Sequence, residues 1–81
     1  MLRLLTTPLQ VGQALTSRRK ALKLSQATAA QRLGISQPRF SELELHPDRM
    51  TLDRLLVLAN MLNLELVLRE KDSSSAPKSE W

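Results

Sequence analysis

Ser25, Gly34 and Ser36 limit this chain more than any other feature. A serine hydroxyl accepts a backbone N–H at the start of a helix. A glycine in the left-handed region ends one. The stretch therefore reads as one helix from Ser25 to Leu33, a stop at Gly34, the apolar Ile35, and a second helix from Ser36 to Leu45. Ala29, Ala30 and Leu33 form the inner face of the first helix. Phe40 and Leu43 share a face of the second, which makes Phe40 a core residue. Pro38 falls in its first turn, where a missing N–H costs little.

The flanks supply two further helices. Thr7-Pro8 is a capped start, and Val11, Ala14, Leu15 and Leu22 recur at helical spacing as far as about Lys23. His46 to Arg49 reads as a loop. Thr51 caps a fourth helix, with Asp53 in the first turn where the helix dipole favours an acid. Its apolar residues, Leu52, Leu55, Leu56, Leu58, Ala59 and Leu62, occupy so much of its circumference that more than one side needs cover. The period then changes. Leu64, Leu66 and Leu68 alternate with Glu65, Val67 and Arg69, the pattern of a strand. A strand cannot satisfy its own backbone. Leu2–Leu5 is the other candidate partner in the chain, and the same strand of a second subunit is the simpler one, which would make Leu64, Leu66, Val67 and Leu68 dimer residues. The serine-rich stretch from Asp72 has the composition of a disordered tail and ends on Trp81. The expected organisation is an arm over 1–7, one mostly helical domain over 8–71, and a tail over 72–81. At 81 residues the core is modest, so dimerisation is a plausible source of stability.

Several function classes are disfavoured. There is no cysteine, and the single histidine, His46, cannot build a metal site alone. No apolar run approaches the roughly 18 residues of a membrane span. The first residues lack the apolar stretch and cleavage site of a signal peptide, so a cytoplasmic location is expected. No glycine-rich phosphate loop or nucleophile–base pair suggests an enzyme, and no cofactor is expected. The charge is informative in its distribution. Residues 1–50 hold eight Arg/Lys against three acids, giving +5, whereas residues 51–81 hold four against five, giving −1. The basic half contains the paired helices, as expected of a chain that meets phosphates.

Two short helices joined by a glycine turn form a helix-turn-helix, whose second helix enters the DNA major groove with its N-terminal residues on base edges. Ala30 is small enough for the helices to cross, and Gln26 and Gln37 stand at the two N-termini. Glutamine pairs with adenine through both amide atoms, worth about 1–3 kcal/mol of discrimination. Backbone N–H groups at the first of the two N-termini suit a phosphate oxygen.

Ser25-Gln26, Ala30, Gly34, Ile35-Ser36-Gln37 and Ser41-Glu42-Leu43-Glu44 resemble the lambdoid phage repressor and Cro family over roughly residues 8–62. The resemblance implies that Gln26 supports Gln37 and that Gln37 reads a base. It puts Ser36, Arg39, Ser41 and Glu42 on the DNA-facing side, and it implies that Arg19 pairs with Glu44. Arg18, Lys20 and Arg32 are the cations left for phosphates. The chain departs from the family at Ala29, where leucine is usual, and at Leu45-His46, where a glycine is common.

The whole chain is similar to one branch of that family, the HipB-type antitoxins that pair with HipA-type serine/threonine kinase toxins. The shared features are Thr7-Pro8-Leu9-Gln10, Gly34 to Gln37, Ser41 and Glu44, Pro47-Asp48, Thr51-Leu52, the Leu64–Leu68 strand and a polar tail ending in Glu80-Trp81. This resemblance implies a homodimer joined by one strand per subunit, an inverted-repeat operator, repression of its own operon and binding of the kinase. A lone tryptophan on such a tail is a candidate partner-binding anchor, tryptophan being enriched at binding hot spots. Two other readings remain open from the residues: a stand-alone phage-type repressor with no toxin partner, and a helical adaptor that has lost DNA binding.

Overall fold

The computed structural model of the chain describes residues 2–71. Its elements, in chain order, are α1 (Pro8–Ala21), α2 (Gln26–Leu33), α3 (Gln37–Leu45), a 3-10 turn (Pro47–Arg49) and α4 (Leu52–Met61). Each α-helix starts on the hydroxyl that the sequence offers. Thr7 accepts from the Gln10 N–H, Ser25 from Thr28, Ser36 from Arg39 and Thr51 from Arg54, at 3.0–3.2 Å. Each such cap contributes about 1 kcal/mol.

Three helices also end alike. Lys23, Gly34 and Asn63 take left-handed φ angles of 59°, 73° and 59°. In each case the next N–H reaches back five residues: Leu24 to Arg19, Ile35 to Ala30 and Leu64 to Ala59, at 2.8–3.1 Å. This geometry satisfies carbonyls that a helix end leaves unpaired. It also turns an apolar residue inward, and Leu24, Ile35 and Leu64 all pack against the core. Only Gly34 carries a glycine's signal for such a turn. Lys23 does not, which is why the sequence extends α1 to about Lys23 while the helix stops at Ala21.

The core joins Leu15 of α1, Ala29 and Ala30 of α2, Phe40 of α3, and Leu58 and Leu62 at the end of α4. Phe40, Leu58 and Leu62 are its largest fully buried side chains. The segment expected to be a plain loop, His46 to Arg49, instead forms the 3-10 turn and packs Pro47 onto α1. The contact point is Gly12. A Cβ there would lie 2.3 Å from Pro47 Cγ and 3.0 Å from the Glu44 carbonyl oxygen. Gly12 therefore sets the approach of the α3 C-terminus to α1.

After the Asn63 turn, 64–71 carries no regular secondary structure, and no strand occurs among the described residues. A strand needs a neighbour to satisfy its backbone, and none of the described residues supplies one to this segment. The Leu2–Leu5 stretch does not pair with it either. The proposed tail over 72–81, with Trp81, lies outside the described residues.

Candidate nucleic-acid interface

The site begins inside the core. Arg19 is buried, with its guanidinium doubly bonded to Glu44: Nε donates to Oε2 at 2.7 Å and Nη2 to Oε1 at 3.2 Å. Nη1 donates to the Leu24 carbonyl at 2.8 Å. Such a pair is tolerable in a low-dielectric interior only when its remaining hydrogen-bonding groups are met. No buried side-chain nitrogen or oxygen among the described residues lacks a partner.

From this pair a chain of contacts runs outward. Gln26 Nε2 donates to Glu44 Oε1 at 2.8 Å. Gln37 Nε2 then reaches Gln26 Oε1 at 3.5 Å. The two glutamines open α2 and α3, so both helix N-termini meet at one surface. Gln26 is half-buried, whereas Gln37 is exposed. The inner glutamine is fixed to the protein and the outer one is presented.

Further along α3, Ser36 and Arg39 are exposed, and Ser41 and Glu42 are half-buried. Ser36 Oγ is occupied by its cap bond to the Arg39 N–H. Arg39 Nη1 lies 2.7 Å from Glu42 Oε1, and Arg49 Nη1 approaches Glu42 Oε2 at 3.5 Å. One carboxylate thus gathers two guanidinium groups on the outer face of α3. Arg49 was not singled out in the sequence, because nothing local in Pro47-Asp48-Arg49 shows that the turn comes back to α3.

The remaining basic residues divide into two kinds. Lys20 and Arg32 are exposed, with no ion pair among the described residues. Arg18 Nε instead donates to the Leu62 carbonyl at 2.9 Å, and Arg54 Nη1 to the Leu33 carbonyl at 3.2 Å. Both cations sit at helix C-termini, where unpaired carbonyls and the dipole favour them. Arg18, expected among the phosphate ligands, is therefore engaged with the end of α4.

Elsewhere the domain exposes apolar residues. Leu64 packs against the core, but Leu66, Val67 and Leu68 are exposed, Leu68 completely. On α4, Leu52, Leu56 and Val57 are also exposed. No group of three or more potential metal ligands occurs among the described residues, and no described helix is long and apolar enough to cross a membrane.

Residues 6–69 match the family model of a helix-turn-helix domain. The chain belongs to the helix-turn-helix domain family. This helix-turn-helix domain is also similar to a solved structure of a HipB variant in complex with an O2 20-mer. The TM-score is 0.79 and the identity 26%, over 89% of this chain and 100% of that one. Its fold is of HipB type. No curated protein matches the chain.

Proposed function

We propose that this chain is the antitoxin of a type II toxin–antitoxin system. It is a homodimeric repressor that binds the operator of its own operon and also binds and neutralises a HipA-like kinase toxin. The observation that carries the DNA half is the contact chain Arg19–Glu44–Gln26–Gln37, which ends on an exposed amide at two helix N-termini. The toxin half rests on the likeness to HipB over most of the chain.

In this reading Gln37 pairs with a base, Gln26 holds it, and Arg39, with Ser36, Ser41 and Glu42, faces the groove. Lys20 and Arg32 meet phosphates, as do the Nη groups of Arg18, whose Nε holds the Leu62 carbonyl. The exposed face of α4 and the Leu64–Leu68 segment join two copies, the segments pairing as strands. The domain over 8–71 then carries both DNA binding and dimerisation, and Trp81 in the tail over 72–81 anchors the kinase. Two reading helices enter successive major grooves about 34 Å apart, so the operator is an inverted repeat. Each phosphate neutralised adds about −0.9 to the slope of log affinity against log salt.

Gln37→Ala is the test of reading. Its affinity for the operator should fall by roughly 5- to 150-fold, the equivalent of 1–3 kcal/mol for a two-point base contact, with random duplex little affected. An equal loss on both would remove Gln37 from the reading role. The toxin half is tested by purifying the tagged chain from its native cell. A HipA-like kinase should come with it in near-stoichiometric amount, and truncation before Asp72 should release that kinase. Recovery of the chain with its promoter DNA alone would leave a stand-alone repressor.

A further inference from the structure

We propose that Glu44 is a positioning residue for base reading as well as half of a structural ion pair. It fixes the amide of Gln26, and through it the amide of Gln37. This inference rests on the base-reading role of Gln37 proposed above.

Donors and acceptors fix the orientation of the two amides. A carboxylate offers only acceptors, whereas an amide presents NH2 on one side and oxygen on the other. At 2.8 Å from Glu44 Oε1, the Gln26 group must be Nε2. The reversed amide would set two oxygens against each other. Gln26 Oε1 is thereby turned away from Glu44 and toward the start of α3, where Gln37 Nε2 approaches it. One N–H of Gln37 faces it across 3.5 Å. Its other N–H and its Oε1 remain, in a fixed order, for a partner outside. A base edge is read by that order.

Glu44 is suited to this role because it is buried and held on both oxygens. Arg19 holds both of its oxygens, and the two side chains are only 9% and 8% exposed. It also stands two turns along α3 from Gln37, on the same side of the helix. Gln26 is therefore gripped between the two ends of α3. An uncharged amide in place of Glu44 would accept or donate equally well. Gln26 could then turn over, and the donor–acceptor order of Gln37 would be lost.

The test uses the full-length homodimer and a 20-base-pair duplex enriched from a randomised pool by the wild-type chain. The base pair that the wild type discriminates and Gln37→Ala does not is the one read by Gln37. Affinities are then compared on the enriched duplex and on the duplex exchanged at that pair. Glu44→Gln should reduce the discrimination to about threefold or less, out of the roughly 5- to 150-fold expected of a two-point contact. Arg19→Lys weakens the same ion pair but leaves the Glu44–Gln26 contact. It should lower the unfolding midpoint and keep the discrimination.

Full discrimination in Glu44→Gln overturns the proposal. So does a loss in both variants that tracks their stability, which would make Glu44 structural only. If Glu44→Gln does not fold, the side-chain amide of Gln26 in the wild type decides by NMR. One proton shifted well away from random-coil values and protected from exchange supports the contact, and a random-coil pair overturns it. If Gln37→Ala shows no base-selective loss, the reading role itself fails, an outcome distinct from the others.

Discussion

The two sides of this domain are built from different kinds of interaction. The α1–α3 side is held by directed contacts: a bidentate buried ion pair, an amide on one of its oxygens, a second amide on the first. Every buried polar side-chain atom described there finds its partner within one chain. The side formed by α4 and 64–68 is the reverse. Leu52, Leu56, Val57, Leu66, Val67 and Leu68 are 46–101% exposed. Directed contacts specify one geometry and are complete in a monomer. Apolar area specifies no geometry and is stabilised by any dry cover. A second copy of the same face is the cover that needs no other molecule, and C2 pairing is the commonest arrangement for such a face.

The sharpest way to break this contrast is to remove one member of the buried pair. Glu44→Ala strands the Arg19 guanidinium in the core with the Leu24 carbonyl as its remaining partner. Breaking a buried pair in this way costs about 3–5 kcal/mol. In a domain of this size that is much of the total stability. Chemical denaturation followed by circular dichroism should show a chain largely unfolded or close to it. A loss below about 1 kcal/mol, typical of surface pairs, would mean that the α1–α3 side is not organised around this contact.

Leu66→Asp attacks the other side. Leu66 is already 46% exposed in the single chain, so the monomer should keep its helices. Fully burying a leucine contributes about 1.5–3 kcal/mol, only about half of Leu66 is left to bury, and the proposed symmetric dimer loses two such contacts and gains two buried charges. The dimer dissociation constant should rise on the order of 100-fold or more, read by sedimentation equilibrium. A variant that dimerises as before would place the interface elsewhere.

Gly12→Ala tests the joint between α1 and the 3-10 turn. A methyl group at Gly12 meets the rigid Pro47 ring and the Glu44 carbonyl, so the turn must shift. Overpacking of this kind costs about 1–3 kcal/mol. The unfolding midpoint should fall accordingly, without loss of dimerisation. An unchanged midpoint would show that Pro47 moves freely and that Gly12 does not set the spacing.

These predictions also mark what was legible in the sequence. Capping hydroxyls act within four residues of themselves, so Thr7, Ser25, Ser36 and Thr51 placed the helix starts correctly. Gly34 marked its turn because only glycine takes that conformation without strain. The Arg19–Glu44 pair was available only from the family resemblance, since nothing local joins two residues on different helices. Features that depend on docking were not legible. The left-handed Lys23 has no compositional signal. Gly12 resembles any helical glycine until Pro47 is known to rest on it. Nothing in the sequence shows that Arg18 Nε also reaches the end of α4, and Arg49 resembles a loop residue until the turn brings it to Glu42. The alternation over 64–68 is a different matter: it is in the sequence, but no described residue pairs with the segment and no strand forms there.

The smallest expected effect sharpens the contrast from the surface. Glu42 is held by Arg39 and Arg49, but all three side chains are between 43% and 57% exposed. Water screens such pairs, and exposed examples contribute at most about 1 kcal/mol. Glu42→Gln should therefore leave the unfolding midpoint nearly unchanged, in contrast to Glu44→Ala on the same helix. Its effect should be on DNA. The substitution removes one negative charge beside the reading helix and releases two guanidinium groups toward phosphates. Affinity for random duplex should rise severalfold at low salt, and the gain should vanish as salt screens it. Discrimination between base pairs should hold if Glu42 serves to orient the two arginines. A selective loss at one base pair would instead make Glu42 a reader, extending the directed network of Gln26 and Gln37 along the outer face of α3.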